Sequence, residues 1–139
     1  MAGVSKRSKK NLESVDPEIG DVVLAALKDA PLWLDFAVIS GTRTAEEQAA
    51  LFRKGRNEPG EIVTYKDGYQ RRSRHQPEPP KTKGEAIDIA AYKSGSITWD
   101  ETETAAVAAY IIGYAKARGV DLTGGVEWGW DYGHIELEK

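Results

Sequence analysis

The chain has 139 residues, of which 40% are hydrophobic and 29% charged, with a formal net charge of -3 at pH 7. This length and composition are typical of a folded domain with a sizeable core, so we expect residues 1–139 to form a single domain. The net negative charge argues against a general nucleic-acid-binding protein. There are no cysteines, which excludes disulfides and thiolate metal sites, so any zinc ion would be held by histidine and carboxylate side chains.

The N-terminal residues carry a basic cluster, which comprises Lys6, Arg7, Lys9 and Lys10. We interpret residues 1–10 as a flexible, solvated basic tail. The alternative is that this basic cluster binds an anionic polymer electrostatically. Polar residues rather than an apolar segment follow this start, so the sequence predicts no secretory signal. The longest apolar run, residues 105–112, is too short to span a bilayer, and we therefore expect no membrane insertion.

Helix and strand signals alternate through the first third of the chain. Asp16 as an N-cap and Pro17 at the first helical position predict a helix that ends by Pro31. The composition of residues 35–40 predicts a strand. A capping-box spacing then predicts a second helix over residues 44–55.

The segment 56–83 is the least regular part of the chain. It contains four of the six prolines and a cluster of arginines. A connection of this length in a compact domain is usually functional or disordered, so we expect a long loop here. A short hairpin around Asp67 is one arrangement that the sequence allows.

Two predicted strands in the second half carry the side chains of chemical interest. In residues 85–91, strand alternation places Asp88 on the face opposite two isoleucines. In residues 134–137, it places His134 and Glu136 opposite two apolar residues. Each strand therefore has one face for the core and one that presents polar groups.

The region between these strands contains one further helix signal. A second capping box predicts a helix over residues 100–118, and residues 120–122 and 126–128 are candidates for short strands. The complete pattern predicts an α+β fold with a small antiparallel sheet and two to three helices packed against one face.

Only two histidines are present, His75 and His134. If the two strands share one sheet, Asp88 and His134 lie on its open face, and His75 enters from the loop before the first strand. Two imidazoles and one carboxylate leave a position for water, which is the arrangement of catalytic zinc sites. Asp131 lies three residues before His134, in a predicted turn, where its carboxylate can serve as the base for that water. The structural alternative is that Asp88 is a charged residue at the edge of the sheet, and that His134 is a surface histidine whose hydrogen bonds are satisfied.

Three sequence patterns resemble the signature of the zinc D-alanyl-D-alanine carboxypeptidase and L-alanyl-D-glutamate peptidase family: Ser73-Arg74-His75, Gly84-x-Ala86-x-Asp88 and Asp131-x-x-His134. Residues 11–27 and the run Gly41-Thr42-Arg43-Thr44 are similar to the N-terminal half of the small single-domain phage endolysins of that family. The resemblance covers nearly the whole chain. It implies the fold that this family shares with the Hedgehog signalling domain.

The resemblance also implies roles for individual residues. It implies one zinc ion per chain, with His75, Asp88 and His134 as ligands, and Asp131 as the catalytic base. It further implies that Arg43 binds or stabilises the substrate carbonyl. A fixed cation near a developing oxyanion lowers the barrier, which gives that role a physical reason. A surface arginine in a turn is the alternative.

Further residues are expected to surround the site. Glu136 shares a strand face with His134, which suits a partner that orients this ligand. We expect four residues to contact the substrate: Ser73, Trp128, Trp130 and Tyr132. Residues 76–83 are an insertion relative to the resembled family, and their prolines predict an exposed loop beside the active-site cleft.

These features lead us to expect a zinc metallopeptidase that cuts the stem peptide of bacterial peptidoglycan, with the L-Ala-D-Glu bond as the favoured bond. The expected role is that of an endolysin in host cell lysis, a monomer that accumulates in the host bacterial cytoplasm and reaches the wall after release by a holin. Three alternatives stay open: a D-Ala-D-Ala carboxypeptidase or dipeptidase of the same family, a non-catalytic wall-binding module of the same fold, and a signalling domain of the Hedgehog type.

Overall fold

The computed structural model describes residues 4–138. In this part of the chain five helices and five strands follow one another in the order α1 (Lys6–Ser14), α2 (Pro17–Asp29), β1 (Phe36–Ser40), α3 (Ala45–Arg53), β2 (Ala86–Lys93), β3 (Ser96–Thr98), α4 (Glu101–Ala117), β4 (Leu122–Gly124), α5 (Gly125–Trp128) and β5 (His134–Leu137). The α+β class is confirmed. The three predicted helices correspond to α2, α3 and α4, while α1 and the short α5 are additional.

The five strands form one antiparallel sheet with the order β1-β2-β5-β4, and β3 pairs with β2. In the central pair, Asp88 of β2 lies opposite His134 of β5, and Ile87 lies opposite Ile135. Ser40 at the end of β1 lies on the other side of Asp88. The expectation that the two functional strands share one sheet is therefore confirmed, with the candidate ligands near its centre.

The core lies on one face of this sheet. Ile87, Ile89 and Ile135 are almost completely buried and join a cluster with apolar residues of α1, α2 and α4. Full burial of such a side chain stabilises the fold by about 1.5–3 kcal/mol. Because side chains alternate along a strand, the residues between these isoleucines face away from this cluster, where the polar groups gather.

Side-chain caps explain where the three predicted helices begin. The Asp16 carboxylate accepts a backbone N–H in the first turn of α2 at 2.9 Å. Thr44 and Glu47 form the predicted reciprocal capping box at the start of α3. The side chain of Asp100 likewise accepts a first-turn N–H of α4. These helix starts are set by local chemistry.

The basic cluster at the N-terminus lies in helix α1, so the prediction of a flexible tail is wrong for residues 6–10. The Ser5 side chain caps this helix, and Ser8 is buried. The Ser8 hydroxyl accepts the backbone N–H of Val38 in β1 at 2.9 Å. The four basic side chains are exposed while Leu12 joins the core, so packing and capping order the segment despite its charge. Residues 1–3 of the expected tail lie outside the described residues.

Residues 126–128 belong to α5, so the prediction of a strand there is wrong. The strand β4 instead precedes them and pairs with β5 only as far as Gly124, which lies opposite Ile135. From that point the chain has to reverse direction within a few residues to enter β5, and one helical turn does this where a strand would not. Gly129 ends α5 in a left-handed conformation with φ 84°.

The long connection between α3 and β2 has no helix or strand of its own in the described structure, apart from one isolated bridge between Lys54 and Glu58. The hairpin considered around Asp67 is absent. The Asp67 carboxylate instead accepts three backbone N–H groups, from Tyr69, Gln70 and Arg71, and thereby closes a compact turn.

The insertion at residues 76–83 is exposed from residue 78 onward, as its prolines predict. Lys81 Nζ lies 3.1 Å from the Asp16 carboxylate and 2.8 Å from that of Glu85. Lys83 Nζ donates to the carbonyl of Glu13 at 3.0 Å. These contacts attach the insertion to the junction of α1 and α2. No helix among residues 4–138 is both long enough and apolar enough to cross a membrane.

Candidate active site

His75 is a buried loop residue whose backbone and ring are both fixed. Its N–H donates to Ser73 Oγ at 3.1 Å, and its carbonyl accepts the N–H of Arg43 at 2.8 Å. Its ring Nδ1 lies 2.8 Å from the carbonyl oxygen of Gly41. Because a carbonyl oxygen only accepts, Nδ1 carries a hydrogen, and in the neutral imidazole Nε2 then keeps a lone pair. In the described part of the chain this buried Nε2 has no hydrogen-bond partner, and it lies 3.3 Å from Asp88 Oδ2.

Asp88 and His134 project from paired strands towards the same point. His134 Nδ1 lies 3.4 Å from Asp88 Oδ1. On the other side of the ring, His134 Nε2 donates to Glu136 Oε1 at 2.8 Å. Arg74 in turn contacts Glu136 at 3.4 Å and donates to the Leu137 carbonyl at 3.0 Å. These contacts connect the loop that carries His75, which we call the functional loop, to β5. Glu136 thus occupies the orienting position predicted for it, while its effect on a bound ligand stays a prediction.

The three side chains fit a metal ion. One ligand atom from each of His75, Asp88 and His134 lies within 4.8 Å of the other two. In the neutral ring the lone pair of His75 Nε2 faces a carboxylate oxygen 3.3 Å away, and two acceptors in contact repel unless a proton or a metal ion lies between them. Both imidazoles have an acceptor on their outer nitrogen, which is the usual way in which a protein orients histidine ligands. The arrangement can therefore hold a metal ion.

The charges of the site shift the pKa values of its members. Burial alone would raise the pKa of the Asp88 carboxyl, but His75, His134 and Arg43 outweigh burial and hold this pKa far below its usual range. Burial would lower the pKa of His134, but its hydrogen bonds to Asp88 and Glu136 outweigh this effect and raise the pKa to about 9. In the metal-free protein His134 therefore carries a proton at neutral pH, and a metal ion has to displace it.

Arg43 lies in the turn after β1 and is directed at the candidate ligand Asp88. Its Nη2 donates to Asp88 Oδ2 at 2.7 Å and to Ser40 Oγ at 3.1 Å. Its Nη1 donates to Oε1 of Gln48 at 3.1 Å, and Gln48 is fully buried. The guanidinium is thus fixed beside the site. The predicted contact with a substrate carbonyl stays a prediction.

Comparison with known proteins identifies the family. A model of the family described as "Phage L-alanyl-D-glutamate peptidase" matches residues 2–138. The chain belongs to this family. The L-alanyl-D-glutamate peptidase of Escherichia phage T5 is 30% identical over 149 aligned positions, which cover 95% of this chain and 95% of that protein.

Two bacterial proteins are also similar to this chain. The peptidoglycan L-alanyl-D-glutamate endopeptidase CwlK of Bacillus subtilis (strain 168) is 34% identical over 111 positions, which cover 75% of this chain and 61% of CwlK. The crystal structure of the L-Ala D-Glu endopeptidase ChiX of Serratia marcescens superposes with a TM-score of 0.71 at 27% identity. That match covers 96% of this chain and 87% of ChiX.

In this family member Asp131 lies in the turn that leads into β5. Its backbone is left-handed, with φ 53°, and its carbonyl accepts the N–H of His134 at 3.0 Å. Gly125 makes this turn possible, because a Cβ at Gly125 would collide with the Asp131 carbonyl oxygen. Burial by the surrounding protein raises the pKa of the Asp131 carboxyl, and the negative charge of Asp88 raises it further. The carboxyl therefore lies within electrostatic reach of the three candidate ligands.

The residues expected to contact substrate lie at different distances from the three candidate ligands. The Trp128 ring is 5.6 Å from that of His134, and the Trp130 ring is 5.8 Å from that of Trp128. Both indoles are substantially exposed. The hydroxyl of Tyr132 donates to the Gly129 carbonyl at 3.3 Å, and that of Ser73 accepts the His75 N–H. Tyr132 and Ser73 thus have structural contacts of their own, and contact of all four with substrate stays a prediction.

Sequence reasoning gave no function to three groups that fix the site: the Gly41 carbonyl, Gln48 and Arg74. Gln48 is the buried residue of α3, and a polar residue on the inward face of an amphipathic helix was the available signal. Arg74 sits inside the Ser73-Arg74-His75 pattern, next to a candidate ligand. No signal in the sequence marked the Gly41 carbonyl, because every residue carries a backbone carbonyl oxygen.

Proposed function

We propose that this chain is a zinc-dependent peptidase that hydrolyses the L-Ala-D-Glu bond in the stem peptide of bacterial peptidoglycan. One observation carries the proposal. The buried, unpartnered Nε2 of His75 faces Asp88 beside His134 in a member of a family whose relatives are named for this cleavage. A solely structural histidine would leave this nitrogen without a partner, which costs free energy.

Zinc is the metal that this donor set favours. Two ligand atoms bound at ~2.0–2.1 Å to a tetrahedral zinc ion lie about 3.4 Å apart. His75 Nε2 lies 3.3 Å from Asp88 Oδ2 and His134 Nδ1 lies 3.4 Å from Asp88 Oδ1, so each imidazole nitrogen lies at about this distance from the Asp88 carboxylate, each from a different oxygen. Three protein ligands also leave a position open, as in catalytic rather than structural zinc sites. When bound there, zinc supplies Lewis-acid polarisation of a carbonyl and lowers the pKa of water.

The remaining polar groups provide proton transfer and orientation. In the proposed reaction Asp131 accepts a proton from the attacking water as the water oxygen adds to the L-Ala carbonyl carbon. Asp131 then gives that proton to the amine of D-Glu as the C–N bond breaks. A carboxyl with a raised pKa suits both steps, because it holds the proton more readily between them. Arg43 helps to keep Asp88 ionised and holds it by a hydrogen bond, and in the proposed reaction its guanidinium also favours negative charge on the carbonyl oxygen.

Digestion of purified peptidoglycan tests the activity directly. Cleavage of the L-Ala-D-Glu bond would produce fragments with a new N-terminal D-Glu, which mass spectrometry identifies. Released D-Ala would indicate the carboxypeptidase alternative, and intact wall would indicate a binding module. Zinc analysis of the purified chain and its His134→Ala variant tests the cofactor. Full activity of a chelated, metal-free protein would refute the zinc proposal.

We also propose that the chain serves as an endolysin in host cell lysis, and the phage relative at 30% identity supports this role. In this proposal it acts as a monomer, accumulates in the host bacterial cytoplasm and reaches the wall after release by a holin. Expression in bacteria with and without a holin tests the route. Lysis should follow only when the holin is present, and equal lysis without it would contradict the proposal.

A further inference from the structure

A second cleft lies away from the candidate active site, where β1 begins and β2 ends. We call it the distal cleft. Its volume is about 610 Å³, and its lining includes Leu32, Trp33, Asp35, Tyr92, Lys93 and Glu103. Lys93 is five residues beyond Asp88 along β2, which corresponds to about 16 Å at 3.3 Å per residue. None of the candidate ligands or their hydrogen-bond partners lines this cleft.

The rim of the distal cleft presents an apolar surface that the fold does not use. Trp33 is 80% exposed and Leu32 is 72% exposed. The segment that carries them is nevertheless fixed, because the N–H of Leu34 donates to the Pro31 carbonyl at 2.9 Å. Leu34 and Phe36 anchor the same segment in the core. An exposed indole on an anchored turn can bind a ligand without a large loss of conformational entropy.

The polar groups of the distal cleft favour a neutral ligand that is rich in hydroxyl groups. Lys93 Nζ lies 3.4 Å from the Glu103 carboxylate, so these two charges balance each other. Asp35 supplies a further carboxylate, which disfavours anionic ligands such as phosphate-rich polymers. Carboxylates accept hydrogen bonds from hydroxyl and amide groups, and the Lys93 ammonium donates them. An indole face beside such groups suits a pyranose ring, which has an apolar face and a polar edge.

We propose that the distal cleft binds the glycan strand of peptidoglycan, a chain of N-acetylated amino sugars, with a sugar ring packed on Trp33. The inference rests on the proposed function, since the polymer that supplies the stem peptide also supplies the sugar. A second contact with the same polymer keeps the active site close to further stem peptides, because it raises their effective concentration. The cleft thereby promotes cleavage of intact wall without taking part in the chemical step.

The test separates glycan binding from peptide cleavage by using the full chain and three ligands. Binding is measured with soluble, uncharged oligomers of N-acetylated amino sugars, because glycan strands stripped of stem peptides would carry free lactyl carboxylates. Turnover is measured with intact insoluble wall and with a soluble synthetic stem peptide that has no sugar. Trp33→Ala should weaken glycan binding about tenfold or more and lower turnover of intact wall, while it leaves turnover of the soluble peptide unchanged. Lys93→Ala should act in the same direction.

Trp99→Ala is the matched control, because Trp99 is 72% exposed but does not line the distal cleft. It should leave all three measurements unchanged. The proposal is overturned if the wild-type chain does not bind the amino-sugar oligomers, or if Trp33→Ala binds them as wild type does. It is equally overturned if the wild type self-associates through this surface and Trp33→Ala abolishes that association without affecting glycan binding. Failure of the proposed function has a different signature, namely no cleavage of the soluble peptide by the wild type.

Discussion

The two histidines of the site use opposite ring nitrogens. His75 donates from Nδ1 to the Gly41 carbonyl and turns Nε2 towards Asp88. His134 donates from Nε2 to Glu136 and turns Nδ1 towards the same carboxylate. In each case an acceptor outside the three candidate ligands binds the outer ring nitrogen and fixes the ring. One of these acceptors is a backbone atom, and only the other can be changed by substitution.

Glu136→Gln tests the orienting role. We expect zinc affinity to fall about 10–100-fold, because the glutamine amide lacks the charge that strengthens the hydrogen bond to His134. The direct effect on the rate of the zinc-loaded variant should be smaller than that of changing the base. Competition with a chelator of known affinity measures the first quantity, and kcat at saturating zinc measures the second. Unchanged zinc affinity would contradict the assigned role.

Asp131→Asn tests the proposed base. The variant should retain zinc and its melting temperature, while kcat falls about 10²–10⁴-fold, the usual contribution of a general acid or base. An amide of nearly the same shape cannot accept the proton, so the loss should not be rescued by excess metal. Metal content and circular dichroism serve as controls. Normal turnover of this variant, together with an inactive zinc-loaded Glu136→Gln, would reverse the two assignments.

At the scale of elements, the site depends on where the long connection meets the sheet. Arg74 donates to Glu85 at 3.1 Å and to the Leu137 carbonyl at 3.0 Å, so the functional loop is attached to the last strand. The N–H of Gly84 donates to Thr42 Oγ at 2.9 Å. The loop thus joins β2 beside the turn that follows β1. His75 is positioned by this junction rather than by a strand.

Gly84→Ala tests the junction. A Cβ at Gly84 would collide with the carbonyl oxygen of His75, the same atom that accepts the Arg43 N–H. Displacement of the loop should lower the free energy of unfolding by about 1–3 kcal/mol and weaken zinc binding. Denaturant unfolding and a chelator titration measure the two effects.

Gly113→Ala is the matched control, because nothing lies within 4 Å of a Cβ at this exposed position in α4. It should stabilise the protein by about 0.5–1 kcal/mol through helix propensity. Equal effects of the two substitutions would show that the contact with His75 has no special importance.

At the scale of the whole molecule, metal binding and folding stability are linked through protons. In the metal-free protein the pKa of His134 is raised to about 9 from an ordinary value of 6.5. The folded state therefore binds this proton more tightly than the unfolded state does, and the proton stabilises the fold fully below about pH 6.5. This contribution is lost as the pH rises to about 9, and it amounts to on the order of 3 kcal/mol.

We therefore expect the metal-free protein to lose stability between about pH 6.5 and pH 9. If zinc binds as proposed, it would take the place of the proton on His134, so the apparent zinc affinity should rise over the same range and binding at pH 7 should release protons. Denaturant unfolding of the chelated protein across this range checks the first expectation. Calorimetry in buffers of different ionisation enthalpy checks the second. Stability of the metal-free protein that is constant or rising in this range would contradict the linkage.

The sequence by itself determined the features that depend on neighbouring residues. Caps at Asp16 and Thr44 specify helix starts because a side chain reaches backbone groups only two or three positions away. Strand alternation placed Asp88 and His134 each opposite the apolar face of its own strand, and the presence of only two histidines limited the candidate ligands.

Only the tertiary structure decided which groups meet across long separations. It ordered α1 by burying Ser8 against β1, and it turned residues 125–128 into a helix because β4 ends where it does. It also selected the Gly41 carbonyl as the acceptor for His75, 34 positions away, and brought residues 32–35 beside residues 92–95 in the distal cleft. The physical reason is that such contacts depend on how elements pack around the core, whereas propensity and periodicity act only over a few residues.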